Sequence, residues 1–267
     1  MTDPASLLDP VLAMTKQAGA TIMDVVRAGF EVEEKEDHSP VTVADQRAEA
    51  ILVAALKDCA PGIPIVAEEQ AAAGDIPDVG DAPYFLVDPL DGTKEFIRGG
   101  NSFTVNVALI ENRTPVFGVV YAPATDRLFY GHGSGTARVI DGFAAGGARR
   151  SIGVRKADPD HLTIVASRSH RNPETEAYLA QYPDAETVSI GSSLKFCLIA
   201  AGEADLYPRL GPTMEWDTAA GHAVLVAAGG SVTTPAGEPF LYTKPDFRNG
   251  FFIALGDQSL EPAPMAD

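Results

Sequence analysis

One stretch limits what this chain can fold into: Phe85-Leu86-Val87-Asp88-Pro89-Leu90-Asp91-Gly92-Thr93-Lys94-Glu95-Phe96. Three apolar residues of strand type run into two carboxylates separated by Pro89 and Leu90, and a Gly-Thr pair follows where a helix would begin. The spacing predicts a strand that delivers both carboxylates onto a tight turn. Proline fixes φ and withholds an N–H, which stiffens the turn and leaves the Leu90 carbonyl to face a ligand. Gly92 lets the backbone approach a bound group closely, and the Gly92 and Thr93 N–H groups open the next helix, where they can hold an anion. Carboxylates beside an anion-binding helix start are compatible if a divalent cation lies between them, as in a metal-dependent phosphate-ester site. The same residues would also serve as strand, turn and cap, with Asp91 purely structural. The rest of the chain decides between the two.

Between Leu7 and Phe30 the apolar residues recur at helical spacing, and a charged, strand-like segment follows over Glu31–Asp37. A second helix is expected from Val43 to Asp58, where Thr42 and Asp45 stand at capping-box spacing. The apolar run Ile63–Ala67 ends in Glu68-Glu69, and positions 71–83 read as a polar loop. After the central strand, Phe103–Ile110, Pro115–Tyr121 and Asp126–Tyr130 suggest an antiparallel meander, and the glycine-rich stretch 131–135 a hairpin turn. Residues 141–160 read as a joint. This predicts an α+β domain over 1–150 and an α/β domain over 151–267. The second domain would contain strands at Leu162–Ala166, Glu186–Ile190, Asp205–Tyr207 and Gly250–Leu255, and helices at Pro173–Gln181, Ser193–Ala201 and Asp217–Ala228.

A net charge of -17 with no Lys/Arg cluster argues against nucleic-acid binding through a basic surface. A polyanionic substrate would have to be attracted locally, by bound cations or a few placed basic groups. Cys59 and Cys197 both fall in helical patterns and read as buried free thiols of a reducing compartment. No basic leader or membrane-length apolar run is visible. The chain reads as cytoplasmic, with peripheral association at the inner membrane face left open and the oligomeric state unread.

Asp45, Glu68, Asp88, Asp91 and Asp217 fall at element ends, where sites are built. If they converge, each like-charged pair about 4 Å apart costs on the order of 4 kcal/mol at an effective dielectric near 20, so convergence requires cations. Oxygen donors without a His or Cys cluster select magnesium or manganese over zinc. Glu68-Glu69, the Asp88–Thr93 stretch, and Trp216-Asp217 followed after eleven residues by Gly229-Gly230 together resemble the signature of the lithium-sensitive, magnesium-dependent phosphatases. That superfamily holds inositol monophosphatases, fructose bisphosphatases and 3′(2′),5′-bisphosphate nucleotidases. Lys94-Glu95-Phe96, Ser167-Arg168-Ser169-His170, Gly191-Ser192-Ser193-Leu194-Lys195-Phe196 and Tyr207-Pro208-Arg209 are similar to the bacterial bisphosphate nucleotidases in particular.

The resemblance implies a layered αβαβα sandwich and hydrolysis of the 3′-phosphate of adenosine 3′,5′-bisphosphate, or of its sulfated form 3′-phosphoadenylyl sulfate, to AMP or adenylyl sulfate and phosphate. It implies two or three Mg2+ ions, replaceable by Mn2+, on Glu68, Asp88, the Leu90 carbonyl, Asp91 and Asp217. Asp45, Glu68 and Thr93 would activate the attacking water. The substrate would lie against Asp91, Gly92, Thr93, His170, Ser192, Lys195, Arg209 and Asp217, with the basic groups holding the second phosphate. The nearest alternative is an inositol monophosphatase or broad sugar phosphatase. A catalytically silent metal-binding protein is the remote one, and the presence of Asp45, Glu68 and Thr93 together speaks against it.

Overall fold

Helix α1 (Leu8–Ala28) follows a single 3-10 turn and lies against α2 (Val43–Cys59). In this computed structural model, residues 3–34, 40–167 and 171–265 are described. A short hairpin of β1 (Val32–Glu34) and β2 (Pro40–Thr42) leads into α2, whose start is a complete capping box: the Thr42 and Asp45 side chains each bond the other's end of the first turn. The buried face of α1 carries Val11, Leu12, Ala18, Ile22 and Val25, spaced as the periodicity predicts. Each fully buried aliphatic side chain of this kind stabilises the fold by roughly 1.5–3 kcal/mol.

A seven-stranded sheet takes up β3 (Ile65–Ala67), β4 (Tyr84–Asp91), β5 (Thr104–Glu111), β6 (Thr114–Ala122), β7 (Arg127–Gly131), β8 (Arg138–Asp141) and β9 (Arg149–Ser151), in that order. Only β3 and β4 run parallel; the rest is the expected meander, extended by β8 and β9 into the region read as a joint. The short helices α3 (Glu68–Ala72) and α4 (Thr93–Ile97) hang from the ends of β3 and β4. Asn112 and Arg113 turn β5 into β6 with both φ values positive, the primed geometry that matches strand twist.

A second, five-stranded sheet is ordered β11 (Glu186–Ile190), β10 (Thr163–Ser167), β12 (Leu206–Arg209), β14 (Phe252–Leu255), β13 (Ser231–Thr233). Helices α5 (Pro173–Leu179), α6 (Leu194–Ala200) and α7 (Ala219–Ala227) connect its strands. Alternation along the strands sorts three cores. Phe85, Val87, Val105 and Val107 face α1 and α2. Leu86, Ala108, Val120 and Phe129 face α6 and α7, which meet Val165, Tyr207 and Phe252 of the second sheet on their far side. Ile164, Leu206 and Ile253 face α5. The layers are therefore α, β, α, β, α, as the resemblance implies. Helix α7 can lie directly on the first sheet because β6 has glycine at Gly118, where a Cβ would fall 2.3 Å from the Ala220 carbonyl oxygen. Among the described residues no helix is long and apolar enough to cross a membrane. Both cysteines are free; Cys197 is buried, but Cys59, at the end of α2, is only partly so.

Candidate active site

Strand β4 pairs regularly with β5 from Tyr84 opposite Ile110 to Asp88 opposite Asn106, then slips by one residue so that Asp91 meets Thr104. The tight turn expected between the two carboxylates is thus a bulge inside a strand that continues to Asp91. Pro89 cannot donate to the ladder, and the bulge absorbs the interruption without ending the strand. The Leu90 N–H folds back onto Asp88 Oδ1 at 3.0 Å. Gly92 turns the chain with φ 93°, and a Cβ there would stand 3.1 Å from the Ser102 carbonyl oxygen, so this position needs glycine.

Thr93 opens α4 with its Oγ 3.3 Å from Asp45 Oδ1 and 3.2 Å from the Leu90 carbonyl oxygen. Asp45 does two jobs at once. Its Oδ2 accepts the Thr42 N–H and hydroxyl at 2.8 Å each, as a cap, while its Oδ1 faces Thr93. Glu68 begins α3 directly after β3, and the parallel pairing of Ala67 with Val87 brings it beside Asp88. Asp217 does not start a helix. It sits in the turn ahead of α7, whose cap is Thr218, and its Oδ2 accepts the Met214 N–H at 2.9 Å.

Glu68, Asp88, Asp91, Thr93 and Asp217 line one cavity of roughly 290 Å³ together with Lys195 and Arg209, whereas Asp45 is buried and reaches it only through Thr93. Burial, then the charges of Glu68, Asp91 and Asp217 and a hydrogen bond with Glu68, push the Asp88 carboxyl well above the usual range. Burial, then Asp91 and Glu68, do the same to Asp217. Asp91 is also raised by burial, with Lys195 and the donors of Ser193 and Asn106 pulling the other way. Asp91 and Asp217 keep an edge open to the cavity, but protein atoms crowd each closely enough that burial is still the first cause. Among the described residues no three of the acidic, His or Cys groups form a ready-made cage. What fits a cation is the donor chemistry: hard oxygens, mutually repelling, with buried positive charge opposing them from the cavity's far side.

That far side is built by the second sheet and α6. Lys195 is buried, its Nζ donating to the carbonyls of Ser192 at 2.6 Å and Ile190 at 3.4 Å. Burial lowers its pKa to about 8, opposed by Asp91 and reinforced by Arg209. Arg209 is also buried. One guanidinium nitrogen reaches the Pro212 carbonyl at 2.8 Å, and Nε, shielded from solvent, has no hydrogen-bond partner among the described residues. Ser192 lies at the rim with φ 54°. His170, with Arg168 and Ser169, lies outside the described residues.

Three residues that sequence reasoning passed over belong to this site. Glu49, four residues after Asp45 on the same face of α2, is buried and accepts the N–H groups of Glu69 at 2.7 Å and Gln70 at 3.0 Å, fixing the turn that carries Glu68. Asn106 and Ser193 both bond Asp91. The i, i+4 carboxylate pair on α2, and one asparagine inside the apolar run of β5, were the available signals.

The model of the inositol monophosphatase family matches residues 3–251. The 3′(2′),5′-bisphosphate nucleotidase CysQ of Salmonella typhimurium is 45% identical over 256 residues, covering 93% of this chain and 100% of the relative. The Escherichia coli K12 nucleotidase of the same name is 44% identical over 253 residues, with the same coverage of both chains. Among solved structures, CysQ of Bacteroides thetaiotaomicron superimposes with a TM-score of 0.76 at 37% identity, covering 92% of this chain and 96% of that one. An inositol monophosphatase of Zymomonas mobilis gives a TM-score of 0.78 at 25% identity, covering 97% and 96%. On the match along nearly its whole length, and at an identity far above that to the inositol phosphatases, the chain belongs to the inositol monophosphatase family, on the branch of the bacterial CysQ proteins.

Proposed function

We propose that this protein is a magnesium-dependent phosphatase that removes the 3′-phosphate of adenosine 3′,5′-bisphosphate, and of its sulfated form, leaving AMP or adenylyl sulfate and inorganic phosphate. The observation that carries this is the division of one cavity into a carboxylate wall and a cationic wall formed by Lys195 and Arg209. A substrate with one phosphoryl group fills only the first wall; a bisphosphate answers both. The names of the CysQ relatives support the same substrate class.

Glu68, Asp88, the Leu90 carbonyl, Asp91 and Asp217 would hold the cations, two or three in number. When bound, these supply positive charge to the phosphoryl oxygens and acidify a water molecule. Thr93 and Asp45 are the proton path. Thr93 Oγ stands between Asp45 Oδ1 and the cavity, so it can accept a proton from water while passing its own to Asp45, whose other oxygen is pinned by Thr42. Glu68 flanks the same water. The Gly92 and Thr93 N–H groups meet the phosphoryl group being transferred, and as its P–O bond to the ribose breaks, Asp217, beside Asp91, would supply the proton that the leaving oxygen takes up. Lys195 and Arg209 hold the second phosphate, together with Ser192 and His170. Lys195, already bonded to two carbonyls, acts as a fixed point charge, and Arg209 adds a second cation on the same lining.

The test compares phosphate release from adenosine 3′,5′-bisphosphate with release from an inositol phosphate, in wild type and in Lys195→Ala. Preference for the bisphosphate by wild type, and a KM for it raised about tenfold in the variant against little change for a simple monophosphate ester, is the expected result. Equal effects on both substrates would remove Lys195 from the second-phosphate site, and preference for inositol phosphate would favour the inositol monophosphatase alternative.

A further inference from the structure

Asp91 and Asp217 reach the cavity from separate segments, the end of β4 and the turn ahead of α7, and one serine joins them. Ser193 precedes α6 and is 1% exposed. Its N–H donates to Asp91 Oδ2 at 2.6 Å, and its Oγ lies 3.1 Å from that oxygen and 2.6 Å from the Asp217 carbonyl oxygen. Asn106, from β5, adds its amide group. Nδ2 donates to Ser193 Oγ at 3.0 Å and to Asp91 Oδ2 at 3.3 Å.

A serine hydroxyl has one proton to give. With Asn106 donating to Oγ, that proton goes to the nearer acceptor, the Asp217 carbonyl, while Asp91 Oδ2 is held by the Ser193 and Asn106 N–H groups. Asp91 is thereby fixed through one oxygen, and its Oδ1 stays outside these bonds. Behind it Asn106 Oδ1, on a side chain 1% exposed, has no hydrogen-bond partner among the described residues, on the strand position directly opposite Asp88. Buried acceptors are rarely abandoned, and this one borders the acidic wall.

We propose that Ser193, supported by Asn106, is a positioning residue that sets the distance between Asp91 and the Asp217 turn, so that the two carboxylates can share one cation. This rests on the metal assignment above, but assigns no direct contact with the cation to either residue. Partners of metal ligands that are lost in this way typically weaken metal affinity or activity by about 10- to 100-fold.

The test measures Mg2+ binding calorimetrically without nucleotide, in wild type, Ser193→Ala, Asn106→Ala and the double variant, alongside the nucleotide KM at saturating Mg2+. Each single change is expected to weaken Mg2+ binding about tenfold and to leave the nucleotide KM within twofold. A general loosening of the pocket would move both. The double variant is expected to lose much less than the product of the two, because both act through Asp91. Asn106→Ala carries the test alone should Ser193→Ala not fold. Mg2+ affinity within twofold of wild type in the single variants overturns the positioning role and leaves the hydrolase assignment standing. A wild-type protein that binds no Mg2+ overturns both.

Discussion

Glu215 and Asp217 are two residues apart on one turn, yet the protein treats their charges in opposite ways. Glu215 is fully buried and fully answered. Its Oε1 accepts the Lys244 N–H at 2.9 Å and ammonium at 3.2 Å; its Oε2 accepts the Thr243 N–H at 3.0 Å and the Tyr84 hydroxyl at 3.3 Å. Lys244 in turn stands over the rings of Phe240 and Tyr242. The segment that brings these donors is bent to do so, with positive φ at Thr243, Asp246 and Phe247, and Asn249 ties the same turn down through the Met214 carbonyl at 2.7 Å. Asp217 receives one N–H from Met214 and faces Asp91 and Glu68. Asp88 likewise has one N–H, from Leu90, and a ring of other acids. Where a buried carboxylate is structural, this chain strains its backbone to supply donors. Asp88 and Asp217, with fewer donors, are the carboxylates proposed above to meet a cation.

The largest expected effect is on catalysis. Asp88→Asn keeps the side chain's shape but removes the charge most closely pressed by its neighbours. Phosphate release from adenosine 3′,5′-bisphosphate should fall by about three orders of magnitude, or roughly 4 kcal/mol, with the circular-dichroism spectrum unchanged. Retained Mg2+-dependent turnover would remove Asp88 from the proposed cation ligands and dissolve the contrast with Glu215. Next is Glu215→Gln, an equally isosteric change. Glutamine keeps one acceptor oxygen for four donors and points an NH2 group at some of them. With Lys244 left unpaired as well, urea unfolding should show a loss of about 3 kcal/mol. A loss below about 0.5 kcal/mol would mean that the cluster contributes nothing to stability.

Much of this contrast was legible in the sequence on one side only. Asp88, Asp91, Glu68 and Asp217 stand at the ends of apolar runs, where local pattern marks them, and the layers follow from periods of two and 3.6. Glu215 was invisible, because its partners lie at Tyr84 and Thr243–Lys244 and nothing local announces a pairing across that separation. Asn106 and Ser193 stand in stretches that do carry local signals, but their bonds to Asp91 form only in the fold. Strands β8, β9 and β13 were missed because each is three or four residues long and is defined by its neighbour in the sheet, with little pattern of its own. The bulge at Pro89 looked like a turn because proline and glycine punctuate both, and only pairing with β5 tells them apart.

Withdrawing the cation should separate the two carboxylate groups thermodynamically. At Mg2+ about a hundred times its dissociation constant, binding to the folded state alone adds about 2.7 kcal/mol. A chelator should remove that increment from wild type and from Glu215→Gln equally, because Glu215 is satisfied by the chain itself. It should remove none from Asp88→Asn. Chelation that leaves wild-type urea unfolding unmoved would contradict cation binding by the acidic wall.

The smallest effect is the most discriminating, because its sign opposes that of Glu215→Gln. In Asp217→Asn the side-chain oxygen still accepts the Met214 N–H, while the Coulombic conflict with Asp91 and Glu68 disappears. In metal-free protein at neutral pH the Met214 N–H and the Arg209 charge offset only part of that conflict, so the variant should be more stable than wild type, by about 1 kcal/mol once side-chain relaxation and water in the cavity have screened it. With Mg2+ present the order should reverse, since wild type gains the binding increment and the variant gains less. Two isosteric acid-to-amide changes, two residues apart, would then shift metal-free stability in opposite directions. If urea unfolding in chelator shows both destabilising, Asp217 is held by the protein as Glu215 is, and the turn ahead of α7 is structural throughout.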